Sequence, residues 1–260
     1  SLSASAIRPI FKHYKIYKSN YITITMQSYC TGFESIITFP NHYLFIGKTT
    51  SGKSTTLRYI LRKYFKQPFK YFHYVLVFCA HKEYQKYVSI LGEEYVYKFF
   101  NSKVVEKLMA LQVSNAEKYP NMKINCAVIF DDIGEYAKSF HKGETTLTKL
   151  FTEGLGMNIS TFCLIQNVTM ITSKVIHSNI GFAFIYGAYD IEEYKDLWGK
   201  YAQNSGFVSI DQFKDYLNQH IDKEKRYFII YSKNKKGFQF DVFNHKECKP
   251  FKINQGLIEL

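Results

Sequence analysis

Arginine is nearly missing from this chain: of 34 basic residues among 260, only Arg8, Arg58, Arg62 and Arg226 carry a guanidinium. That scarcity counts against small nucleotide kinases, which close an Arg-rich lid over a transferring phosphate. The five cysteines (Cys30, Cys79, Cys126, Cys163, Cys248) are odd in number and form no C-x-x-C pair. They argue against a disulfide framework and point to a reducing, intracellular compartment. The eight histidines show no metal-ligand spacing, so no zinc site is expected. No stretch reaches about 18 apolar residues, which leaves no expected membrane span. The first twenty residues lack the apolar core of a secretory signal. The N-x-[ST] matches at 158–160 and 167–169 are therefore read as chance. No initiator Met stands at position 1 and the first is Met26, so residues 1–25 are read as a tag remnant or as upstream sequence foreign to the natural protein. Native protein whose mass begins at Ser1 would refute that reading.

What the chain has in excess is positive charge and aromatic rings. A net charge of +12 and a pI near 9.2 suggest a polyanionic partner, nucleic acid first. An A/T-rich coding genome would also enrich Lys, Ile, Tyr (22) and Phe (23), so composition alone leaves both explanations open. A hydrophobic content of 46% with 22% charged residues is that of a globular protein.

Short apolar runs alternate with amphipathic stretches along the chain. "YLFIG" (43–47), "YFHYVLVFCA" (71–80), "NCAVIFDD" (125–132), "ISTFCLIQN" (159–167) and "GFAFIYG" (181–187) read as buried strands, and "EEYVYKF" (93–99) as a further one. Helical spacing marks 53–66, 101–119, 146–155, 190–203 and 208–221. The runs 226–232 and 238–243, joined by "KNKKG", read as a C-terminal β-hairpin. Continuous apolar strands alternating with helices predict an α/β fold, a mostly parallel sheet covered on both faces. Residues 1–40 are expected to be an N-terminal extension, and 41–260 a single domain.

"LFIGKTTSGKST" (44–55) holds G-x-x-x-x-G-K-[ST], with Gly47, Gly52, Lys53 and Ser54 in register. A turn between strand and helix that cradles phosphate needs glycines that leave backbone N–H groups open to the anion. It also needs a helix N-terminus, a Lys for the β- and γ-phosphates and a hydroxyl for Mg²⁺. The expected nucleotide contacts are Gly47, Lys48, Thr49, Thr50, Ser51, Gly52, Lys53, Ser54 and Thr55. Hydrolysis further needs a carboxylate at the metal and a group that orients the attacking water. "AVIFDDI" supplies Asp131 for the metal beside Ser54, and Asp132 to polarise the water, at the carboxyl end of a buried strand. An acidic turn is the bland alternative for that pair. Gln166 ends the next buried run, where it could reach the γ-phosphate or the water. The expected catalytic set is Lys53, Asp132 and Gln166, with ATP and Mg²⁺ as cofactors.

These motifs in this order resemble the FtsK–HerA division of phosphate-loop (P-loop, RecA/ASCE-like) ATPases, and more narrowly the genome-packaging ATPases of poxviruses, giant viruses and virophages. The resemblance spans about positions 42–187 and rests on "FIGKTTSGKST", "CAVIFDDI", "LFTEGLGMNISTFCLIQN" and "SKVIHSNIGFAFIYG". It implies that the Gln166 strand lies between the loop strand and the Asp-Asp strand, with Gln166 between Lys53 and Asp132. It implies also a homo-oligomeric ring, pentamer or hexamer, that drives double-stranded DNA into a capsid. Such a motor would meet a capsid or portal-vertex protein and work in the host cytoplasm or a viral factory, or with the virion. Relatives commonly carry a basic pair where this chain has Leu155 and Gly156, and often an Arg near His177. Arg226 or a Lys is the expected substitute; full activity of an Arg226→Ala protein would exclude the former. Two other classes stay open: a phosphate-loop nucleotide kinase, and a nucleotide-binding, DNA-associated scaffold without turnover. Lys63, Lys66, Lys70, Lys233, Lys235 and Lys236 are candidate DNA-phosphate contacts, with a solvated lysine surface as the alternative.

Overall fold

The computed structural model describes residues 37–65, 71–132, 140, 145–188, 190–203, 205, 207–221, 227–234 and 237–244. The expected extension up to residue 36, and Lys66, Lys70, Arg226, Lys235 and Lys236, lie outside the described residues.

The described strands form one eight-stranded sheet in the order β3-β2-β4-β5-β1-β6-β7-β8. These are β1 (His42–Ile46), β2 (Tyr74–Cys79), β3 (Val96–Tyr97), β4 (Cys126–Asp131), β5 (Ile159–Ile165), β6 (Phe182–Ile185), β7 (Tyr227–Asn234) and β8 (Gly237–Asn244). Strands β1 to β6 pair in parallel, while β7 and β8 add an antiparallel hairpin at one edge. Every residue of β1, β4 and β5 is buried, the signature of strands covered on both faces. Alternation then divides the core. Leu44, Ile46, Val128, Phe130 and Cys163 face one side, and Tyr43, Phe45, Ile129, Phe162 and Leu164 the other.

Helices α1 (Lys53–Phe65) and α2 (His81–Leu91) cover the second side with Leu57, Ile60, Leu61, Tyr87 and Ile90. The first side takes α3 (Ser102–Lys118), α4 (Thr145–Glu153), α5 (Lys174–Asn179), α6 (Ile191–Leu197) and α7 (Ile210–His220). Side-chain oxygens of Asn101, Ser173, Asp190 and Ser209 accept backbone N–H bonds at the starts of α3, α5, α6 and α7. Ile37 is buried, and Phe39 packs on Tyr64, Tyr71 and Phe72, so the packed chain already includes residues ahead of position 41.

Local structure departs from the sequence reading in three places. The strand expected over 93–99 is a 3-10 turn (Glu93–Tyr95) followed by only Val96–Tyr97 as β3. Gly92, with φ of 106°, turns the chain there, and only Val96 and Tyr97 pair with β2, opposite Val77 and Phe78. The sequence reading passed over α2, although Tyr87, Ile90 and Leu91 are its buried face. The single helix expected over 190–203 is α6 plus a π turn at Trp198–Ala202, closed by Gln203 N–H donating to the Trp198 carbonyl at 2.8 Å.

Candidate active site

β1 delivers its chain to the carboxyl edge of the sheet and turns at Gly47. A Cβ there would stand 2.8 Å from Tyr186 Cβ and 2.9 Å from Ser51 Oγ, so no larger residue fits without moving the loop. Gly52 has φ of 107°, a conformation side chains disfavour, and it sets the turn into α1. Thr50 is also left-handed, at φ of 69°. The start of α1 is pinned from the side: Tyr186, just past β6, donates its hydroxyl to Thr56 Oγ1 at 2.7 Å in a buried position.

Lys53 opens α1 and is buried; its Nζ donates to the carbonyl of Gly47 and, at 2.9 Å, to that of Lys48. Burial lowers its pKa to about 8, against the opposing pull of Asp131 and Asp132. Ser54 Oγ donates to Asp131 Oδ1 at 3.4 Å. Asp131 ends β4 and is 3% exposed; its other oxygen accepts from the Tyr87 hydroxyl at 2.6 Å. Burial pushes the Asp131 carboxyl above the usual range, while the Tyr87 and Ser54 hydrogen bonds pull it back. Asp132, at φ of 58°, turns away from the strand and pairs with Lys82 Nζ at 2.5 Å. That ion pair raises the Lys82 pKa.

The register aligns Ile46 of β1 with Ile165 of β5, and Leu164 of β5 with Asp131 of β4. β5 therefore lies between the loop strand and the Asp-Asp strand, and Gln166 emerges between them at the same edge. The Gln166 side chain is exposed and its backbone N–H is 3.3 Å from Met170 Sδ. Lys53, Ser54, Asp131, Asp132 and Gln166, distant in sequence, thus stand at one crevice edge.

The set fits Mg²⁺ and a nucleotide. A hydroxyl and a carboxylate already face each other in Ser54 and Asp131. Among the described residues there is no group of three His, Cys, Asp or Glu that could hold a metal by itself. Mg²⁺ is commonly held in that sparse way, by one or two carboxylates, substrate phosphates and water. Ser51 Oγ, inside the loop, is buried without a hydrogen-bond partner, a polar atom placed for a phosphate oxygen.

Sequence reasoning missed the first turn of α2. Lys82 reaches Asp132, and Glu83 pairs with Arg58 of α1 at 3.4 Å and with Lys86 at 2.9 Å. Charged residues directly after the buried run 74–79 were the available signal, but only the β2–β4 pairing brings them to the site. Leu155, Gly156 and His177, the positions at which the resemblance implies basic residues, take structural places here. Leu155 lies in a tight turn, its carbonyl accepting from Asn158 N–H at 3.1 Å, and Gly156 is exposed in the same turn. His177 is tied to the Ile171 carbonyl and the Tyr201 hydroxyl, and burial lowers its pKa to about 4, so it is neutral.

This loop, sheet order and carboxylate pair define a phosphate-loop NTPase fold of the type with a strand inserted beside the loop strand. The model of the poxvirus A32 protein family matches residues 32–203, and the chain belongs to that family. The poxvirus-type resemblance in the motifs therefore stands. No curated protein sequence matches the chain. Among solved structures it is similar to the DNA-packaging ATPase B204 of Sulfolobus turreted icosahedral virus, at 16% identity over 78% of this chain and 96% of that one, TM-score 0.55. The genome-packaging NTPase B204 of Sulfolobus turreted icosahedral virus 2, in complex with AMPPCP, matches at 15% identity over 77% and 96%, TM-score 0.52. EssC (ATPases 2 and 3) from Geobacillus thermodenitrificans matches at 13% identity over 78% of this chain and 39% of that one, TM-score 0.53. At these identities the likeness is one of fold.

Proposed function

We propose that this chain is an ATP-hydrolysing motor that moves double-stranded viral DNA into a capsid. It would work as a homo-oligomeric ring at a capsid or portal vertex, in the host cytoplasm or a viral factory. The observation that carries the reading is the convergence of Lys53, Ser54, Asp131, Asp132 and Gln166 at one sheet edge in a chain of the A32 family. The B204 structures, described as genome-packaging enzymes and one of them in complex with a nucleotide analogue, support the same reading.

In this mechanism the loop from Gly47 to Thr55 binds the phosphates through backbone N–H groups and the N-terminus of α1. Lys53, with a pKa of about 8, remains mostly protonated at neutral pH and supplies an ammonium for the β- and γ-phosphates. Ser54 and Asp131 would hold Mg²⁺, which supplies charge neutralisation of the phosphate oxygens. Asp132 orients and polarises the attacking water, held in position by Lys82. Gln166 contacts the γ-phosphate or that water from the intervening strand.

Phosphate release from ATP and Mg²⁺, with and without double-stranded DNA, tests the reading against the Lys53→Ala protein. The expected result is DNA-stimulated release in the wild type and a loss of at least about a hundredfold in the variant. Transfer of the phosphate to a nucleoside would replace the motor by a kinase. Nucleotide binding that needs Lys53, without release, would leave a scaffold.

A further inference from the structure

Gln166 has no hydrogen bond of its own side chain among the described residues, whereas the segment after it, residues 167–171, is tied to α6, to His177 and to Lys200. Asn167 Nδ2 donates to Glu193 Oε1 of α6 at 3.3 Å, and Asn167 Oδ1 accepts from Thr169 N–H at 3.0 Å. The Val168 carbonyl accepts from Lys200 Nζ at 3.2 Å. The Ile171 carbonyl is 2.6 Å from His177 Nε2, and His177 Nδ1 is 3.1 Å from the Tyr201 hydroxyl. A carbonyl only accepts, so Nε2 carries the proton. In the neutral ring Nδ1 then accepts, and Tyr201 must be the donor. Lys200 and Tyr201 are consecutive residues of the π turn Trp198–Ala202, which sends both toward the same segment. π turns inside α-helices frequently mark functional positions.

We infer that the π turn is a clamp: Lys200, and Tyr201 through His177, are positioning residues that fix the 167–171 segment and thereby the direction in which Gln166 points. Tyr201 also packs on Tyr231 of β7 at 5.0 Å, so the clamp is anchored in the hairpin edge of the sheet. The inference rests on the reading of Gln166 as the group that meets the γ-phosphate or the water.

Tyr201→Phe is the informative variant, because it deletes the donor and keeps the ring on Tyr231; Lys200→Ala is its companion and Lys200→Arg the conservative control. The first readout is amide hydrogen exchange of the full chain, free and with ATPγS and Mg²⁺. Both variants should exchange about tenfold faster over 167–171, with a melting temperature within about 4 °C of wild type, and should lose ATPγS-induced protection at Gln166. Lys200→Arg should restore it. The second readout is turnover in wild-type and Gln166→Ala backgrounds. Each variant should lower kcat about five- to tenfold with KM within about twofold, and should add nothing once Gln166 is gone. Unchanged exchange over 167–171, or the same fold-loss in both backgrounds, would overturn the clamp. A wild type that releases no phosphate would instead defeat the motor reading, and the exchange measurement would still decide the clamp.

Discussion

Tyr87 is completely buried and places its hydroxyl 2.6 Å from Asp131 Oδ2. An acidic side chain 3% exposed needs such donors, since burial favours its protonated form and only hydrogen bonds oppose that. Tyr87→Phe should therefore destabilise the fold by about 1–3 kcal/mol, read as a lower urea midpoint at unchanged slope. It should also raise the Mg²⁺ concentration needed for half-maximal nucleotide binding, because the carboxylate must ionise with one donor fewer. Unaltered Mg²⁺ dependence would remove Asp131 from the metal role assigned to it. Asp131 and Asp132 are adjacent in sequence and opposite in circumstance: one faces Ser54 and Tyr87, the other turns out at φ of 58° to meet Lys82.

At the scale of elements, the turn between β1 and α1 is the tightest constraint. Gly47→Ala would press a methyl against Tyr186 Cβ at 2.8 Å, and Tyr186 is itself tied to Thr56 of α1. The loop has to yield, because the β6 side is anchored by Tyr186 N–H donating to the Ile46 carbonyl at 2.9 Å. We expect a folded protein, destabilised by about 1–3 kcal/mol, whose nucleotide affinity falls at least about tenfold by equilibrium titration. The element most visible from sequence was this strand–loop–helix unit, since glycine spacing and helix periodicity are both local. The elements least visible were α2 and the π turn. Their apolar residues are at helical spacing, but their roles come from what β2 and β7 place beside them.

Across the whole molecule, two histidines, the buried His42 and the half-buried His177, make stability depend on pH. His42 on β1 donates from Nε2 to the Phe151 carbonyl of α4 at 3.0 Å, and His177 ties α5 to the π turn. Burial lowers both pKa values from 6.5 to about 4. The unfolded chain therefore binds protons that the folded chain refuses between those values. Stability from this source is fully present above pH 6.5 and is lost progressively as pH falls toward 4. The loss at pH 5 should be on the order of 2 kcal/mol for each histidine. The raised carboxyl of Asp131 acts in the opposite direction, so the comparison must be with His42→Gln and His177→Gln proteins. Urea midpoints at pH 7 and pH 5 should differ less in each variant than in wild type; an equal difference would remove the histidines as the cause.

The sequence by itself determined the α/β class, the phosphate loop, the Asp-Asp strand end and the family, because each is written in short, contiguous residue patterns. Local chemistry dictates them: glycine where φ is positive or space is absent, apolar runs where both faces are covered, carboxylates just past a buried strand. Tertiary structure alone decided that Lys82 meets Asp132, that Tyr87 serves Asp131 and that His177 is a strut. Those contacts join residues 24 to 50 positions apart across neighbouring strands and helices. No periodicity encodes such distances; they exist only once the sheet has fixed which strand lies beside which.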